Sequence, residues 1–205
     1  MVRQFGKPSG PLGFLAGLIM QLRPSNRLRN ARTLDLLEIR PEERILEIGF
    51  GPGLAVARAA ELAWKGKVVG IDHSALMVEQ AARRNASAIR AGRVELLLGS
   101  ADALPHFEGD PFDKVVAVNV YMFWKDPVSV LRGLLQVMSP GGVIALTLQP
   151  RRRGATANDT RAAAERMSAS LREAGFGDIR TVIMEMAPVP AACVLGATPK
   201  RGRSS

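Results

Sequence analysis

Short apolar runs alternate along the chain with stretches in which apolar residues return every three or four positions. The runs RILEIG (44–49), KVVGID (67–72), RVELLL (93–98), FDKVVAV (112–118) and GVIALTL (142–148) have strand length and strand composition. LAVARAAELAWKG, SALMVEQAARRNASAIRAG, DPVSVLRGLLQVMSPGG and TRAAAERMSASLREAGFG read as helices stopping at or near glycine. Such alternation predicts a parallel sheet with helices on both faces. The last two runs, IRTVIME (179–185) and AACVLGA (191–197), are separated only by a short segment holding APVP. That is too tight for a helical crossover, so they are expected to form an antiparallel hairpin. The fold class is therefore α/β: a doubly wound, mostly parallel seven-stranded sheet with an antiparallel C-terminal hairpin strand.

A chain of 205 residues with 47% hydrophobic and 23% charged positions suits one domain with a full core. Charge changes the picture more. The net charge is +9, and from Met1 to Leu34 there are arginines and a lysine but no acid. Arg151–Arg153 and the tail KRGRSS are basic again. Anionic partners fit such patches, and so does simple solubility. Cys193, the single cysteine, cannot close an internal disulfide, and residues 12–22 are apolar but too short to span a bilayer. The arginines that follow, without a small-residue cleavage site, speak against a signal peptide. A cytoplasmic protein is expected, and no metal site.

The first run carries the chemistry. ILEIGFGPG sets Gly49, Gly51 and Gly53 at every second position, two residues beyond Glu47. A dinucleotide site uses G-x-G-x-x-G and places pyrophosphate on a helix N-terminus. Here the spacing is shorter, and a carboxylate at the loop mouth repels pyrophosphate but suits a ligand with a cationic amine. S-adenosylmethionine has an ammonium, a sulfonium and no phosphate, and fits better than NAD or FAD. Asp72 ends the second run about 20 residues on, where a ribose-binding carboxylate belongs. The alternatives are a plain glycine turn and an Asp72 that caps the next helix.

Together, ILEIGFGPG, VVGIDHS, GSADALPHFEGDPFDKVVAVNV and LLQVMSPGGVIAL resemble the class I S-adenosylmethionine-dependent methyltransferases over roughly residues 33–198. The resemblance implies the family's seven-stranded sheet with its reversed last strand. It divides the chain into N-terminal lid or docking helices (1–32), the methyltransferase domain (33–198) and a basic tail (199–205). It also implies site roles. Glu47 faces the methionine ammonium, while Gly49, Gly51 and Gly53 let the loop pass against the ligand. Asp72 holds the ribose, and His73 and Met77 line the adenine side. Ala101 and Asp102 sit at the adenine edge, and Asn119 closes the methionine side.

Methyl transfer from a sulfonium is an in-line displacement in which the protein aligns donor and acceptor and excludes water. The acceptor side is expected after the fourth strand, in NVYMFWKDP, where Tyr121, Phe123 and Trp124 concentrate the few aromatics. Tyr121 is the candidate for steering the nucleophile; packing of the next helix is the other reading for these rings. The chain reads Asn119-Val120-Tyr121-Met122, without the two prolines of the nucleic-acid amino-methyltransferases, which disfavours base methylation. The expected substrate is a small, apolar or amphipathic molecule. Alternatives are RNA methylation through the basic surface, and a non-catalytic nucleic-acid or membrane binder retaining the fold. LGFLAGLIMQLRPSNRLRNART is expected to form a lid over the site, with docking on an anionic membrane as its other reading.

Overall fold

The computed structural model describes residues 24–200. Helix α1 (Pro24–Leu36) leads into β1 (Arg44–Ile48), α2 (Leu54–Leu62), β2 (Lys67–Asp72), α3 (Ala75–Arg84), α4 (Ala86–Arg90), β3 (Val94–Leu98) and β4 (Phe112–Val118). A 3₁₀ turn (Tyr121–Phe123) then precedes α5 (Pro127–Gln136), β5 (Met138–Leu148), α6 (Ala157–Ala174), β6 (Gly177–Met184) and β7 (Ala191–Ala197).

The strands form one seven-stranded sheet in the order β3-β2-β1-β4-β5-β7-β6. Pairing is parallel from β3 through β5, whereas β7 runs antiparallel to both β5 and β6. This is the expected α/β fold, with the chain order reversing between β1 and β4. In such sheets the ligand crevice lies beyond the strand ends at that reversal.

Alternation along β1 sorts its side chains between two cores. Leu46 and Ile48 join one apolar cluster with α5 and α6; Ile45 joins a second with α1, α2 and α3. Glu47, on the same side as Ile45, lies opposite Gly70 of β2 and Val116 of β4. Central strands buried on both faces read as continuous apolar runs, so this one carboxylate stands out.

Local chemistry sets the helix ends. The Ser74 hydroxyl accepts from the Met77 N–H to cap α3, and the Asp126 carboxylate accepts from the Ser129 N–H to cap α5. Thr156 and Asp159 form a reciprocal capping box on α6, whose far end stops at Gly175, φ 105°. Bonds from the Arg152 guanidinium and then from Thr156 bring the Asp159 carboxyl down to about 2, so this cap stays ionised at ordinary pH.

Several elements differ from the sequence reading. Strand β5 begins at Met138, because SPGG stays in the sheet across a register shift opposite Phe112 and Lys114. SALMVEQAARRNASAIRAG is two helices, broken at Asn85. Helix α1 straddles the expected boundary at residue 32, and its Leu34, with Leu37 just beyond it, belongs to the core beside α2. The earlier part of the proposed lid and the basic tail beyond Lys200 lie outside the described residues.

Candidate functional site

The loop leaving β1 passes through three left-handed glycines: Gly49 (φ 69°), Gly51 (φ 53°) and Gly53 (φ 76°). Their surroundings differ. A Cβ on Gly49 would lie 2.3 Å from Val120 Cγ1, and one on Gly53 would lie 2.7 Å from Ala81 Cβ. Those two let the loop lie against the segment after β4 and against α3. At Gly51 an added Cβ meets nothing within 4 Å, so this glycine faces open space.

Several contacts hold the loop. One Asp72 carboxylate oxygen accepts from the Gly51 N–H at 2.8 Å, and the other from the Ser74 N–H at 2.9 Å. From the break between α3 and α4, the Asn85 amide donates to the Gly53 carbonyl at 3.2 Å. Arg84 Nε donates to the Pro52 carbonyl at 3.0 Å. Asp72 is thus no helix cap; Ser74 has that place. Sequence reasoning missed Asn85, whose only signal was the polar break in an otherwise helical stretch.

Glu47 stands behind this loop, 3% exposed, and its Oε2 finds no hydrogen-bond partner among the described residues. Burial, and secondarily the charge of Asp72, push its carboxyl well above the ordinary carboxylate range. A buried acceptor without a donor is costly unless a ligand supplies one. An ammonium answers that need, and a pyrophosphate worsens it.

The other sequence-predicted residues divide. His73 is half exposed, with Nδ1 3.7 Å from Asp72 Oδ1. Ser100 donates to the exposed Asp102 carboxylate at 3.1 Å, with partly buried Ala101 between them. Asn119, left-handed at φ 57°, accepts from the Gln149 N–H at 2.8 Å. Met77 is 3% exposed and packs in the core of α2 and α3, so it presents almost nothing to the crevice. His73, not Met77, is the accessible neighbour after β2.

Tyr121 Oη lies 2.9 Å from Ser170 Oγ on α6, and its ring meets Trp124 edge-on at 5.6 Å. The buried Trp124 belongs to the α5/α6 core, which supports the packing reading for that ring. Tyr121→Phe is expected to lower stability by about 1 kcal/mol, the usual worth of one such bond, and to leave turnover within about threefold. Denaturant unfolding and initial rates check both; a large rate loss at unchanged stability would return Tyr121 to catalysis.

Gln149, at the end of β5, was not legible in the sequence. Its side chain accepts from Arg29 Nη1 at 2.8 Å and donates to the Ala187 and Val189 carbonyls at 3.0 and 2.8 Å. It ties α1, the β6–β7 connection and the Asn119 turn together.

The comparisons accord with this geometry. The methyltransferase domain family matches residues 45–142. The chain is 32% identical over 185 residues to the uncharacterised methyltransferase YdaC of Bacillus subtilis, covering 90% of this chain and 98% of that one. This protein belongs to the class I S-adenosylmethionine-dependent methyltransferases. The chain is also 37% identical over 109 residues to the demethylmenaquinone methyltransferase of Symbiobacterium thermophilum, covering 50% of this chain and 41% of that protein. A solved S-adenosylmethionine-dependent methyltransferase from Aquifex aeolicus shares the fold at TM-score 0.68 and 21% identity, over 85% of this chain and 93% of that one. Membership makes this methyltransferase an enzyme whose methyl donor is S-adenosylmethionine. No helix among its described residues is long and apolar enough to cross a membrane.

Proposed function

We propose that this methyltransferase alkylates a small, apolar or amphipathic acceptor, in the cytoplasm, by in-line transfer. The supporting observation is the segment after β4. Phe123 is 60% exposed and Met122 is exposed beside it, one turn beyond Asn119 at the end of the strand. Large apolar side chains left in water at a crevice lip suit an apolar ligand better than a polynucleotide backbone.

On the donor side, Glu47 accepts from the methionine ammonium and the open face of Gly51 lies against the ligand. Asp72 keeps lone pairs for the ribose hydroxyls after its two backbone bonds. His73, Ala101 and Asp102 border the adenine, and Asn119 closes the methionine side. S-adenosylmethionine supplies an electrophilic methyl when bound; the chain aligns the acceptor with it and excludes water. Kinship with a methyltransferase that acts, by its name, on demethylmenaquinone supports an acceptor of this kind.

Incubation with radiolabelled donor and fractionated cell extract tests the reading. Label is expected in a small-molecule or lipid fraction, and label confined to RNA would overturn it. Phe123→Ser is expected to raise KM for the acceptor about tenfold through lost apolar contact, with the S-adenosylhomocysteine dissociation constant unchanged. Steady-state kinetics and calorimetry separate the two.

A further inference from the structure

We propose that the acceptor carries an anionic group, a carboxylate or a phosphate, recognised by Arg29 together with Arg151 at the ends of β4 and β5. The inference rests on the small-acceptor reading above and gives that molecule a charged end.

Arg29 on α1 is 2% exposed and among the largest fully buried side chains. Its Nη1 donates to Gln149 Oε1 at 2.8 Å and its Nη2 to Asn26 Oδ1. Both partners are neutral carbonyl oxygens. Its Nε has no hydrogen-bond partner among the described residues, and no carboxylate there lies within ion-pair distance of the guanidinium. A buried cation lacking a counter-charge is costly, and a neutral side chain bridging two carbonyls would tie α1 to β5 without that cost. The charge is therefore unexplained by packing.

Position supplies the rest. Gln149, which takes the Arg29 bond, donates through its backbone N–H to Asn119 at the end of β4. Arg29 thus stands two hydrogen bonds from the turn where the methionine side of the donor is expected, beyond the carboxyl ends of the strands, where open α/β sheets take their ligands. The exposed Arg151, two residues past Gln149, adds a second positive charge that acts on the first. Burial, and secondarily Arg151, bring the Arg29 guanidinium down to about 9. An arriving anion relieves both penalties, and a planar guanidinium suits carboxylate or phosphate.

The test is calorimetric titration of the full-length protein, saturated with S-adenosylhomocysteine, with decanoate, decyl phosphate and decanol. One or both anions should bind about tenfold more tightly than decanol, the usual worth of a charge-assisted hydrogen bond. Tighter decanoate assigns a carboxylate, and tighter decyl phosphate a phosphate. Arg29→Gln should abolish the preference; a folded variant that keeps it overturns the proposal. Should that variant not fold by circular dichroism, Arg151→Gln decides: a severalfold smaller preference supports the proposal, and an unchanged one defeats it. Equal binding of all three amphiphiles by the native protein also defeats it while leaving the methyltransferase reading intact. Failure to bind S-adenosylhomocysteine would instead strike the assigned donor site.

Discussion

Glu47→Gln is expected to weaken S-adenosylmethionine binding by about ten- to a hundredfold, because a hydrogen bond to an ionised partner is worth about 1.5–3 kcal/mol. Isothermal titration measures it. The same substitution should steady the ligand-free protein, since the native carboxylate is buried with an oxygen lacking any donor among the described residues. The two effects have opposite signs, which a general folding defect would not produce. Proton linkage gives a second signature. The folded-state pKa of Glu47 is raised, chiefly by burial and then by Asp72. Between the ordinary carboxylate value of about 4.3 and that raised value, the folded chain holds a proton that the unfolded chain has released. The contribution of Glu47 to stability therefore falls as pH rises through that window. Ligand-free melting temperatures should decline less with pH in Glu47→Gln than in the native protein. Donor binding, which needs the ionised form, should release protons and strengthen with pH; a parallel pH slope in both proteins would defeat the account.

Gly51→Ala and Gly53→Ala are expected to fail in different ways. Both place a side chain at positive φ, which costs about 1–2 kcal/mol. At Gly53 the new methyl also meets Ala81, its Cβ at 2.7 Å and its Cα at 3.0 Å, on a helix that cannot retreat without loosening Asn85. Overpacking of that kind adds about 1–3 kcal/mol, for a total loss of about 2–5 kcal/mol. At Gly51 nothing stands within 4 Å, so stability falls only by the backbone strain. The methyl instead occupies the space offered to the donor, and affinity should drop by about a hundredfold or more, as expected for a clash at a closely fitted surface. Chemical denaturation and S-adenosylhomocysteine titration of the pair check this crossing of effects. Equal affinity losses, after allowance for stability, would mean that the loop does not present Gly51 to the ligand.

These contrasts explain what the sequence could and could not reveal. Apolar runs report burial, so β2, β4 and β7 were legible to the residue, and the APVP segment exposed the reversed strand. The spacing at 49, 51 and 53 signalled bare backbone, but not which glycine faces open space and which two face protein. That depends on Val120 and Ala81, brought up from other elements. Asn85 lay inside a stretch of good helix formers, and Met77 looked like a cleft residue by position while its side chain turns to the core. Arg29 and Gln149 are 120 positions apart, and no local pattern links them. Contacts of that separation come from the path of the chain, which periodicity does not encode.

The clasp around the β1–α2 turn has a thermodynamic consequence. Asp72, Asn85 and Arg84 fasten it from two neighbouring elements before any methyl donor arrives. Its dihedral freedom is already surrendered when the polypeptide folds, so association should cost little additional ordering there. Amide exchange at Gly51 and Gly53 should accordingly be slow in the empty enzyme and change only modestly on saturation, with recognition behaving as docking onto a rigid seat.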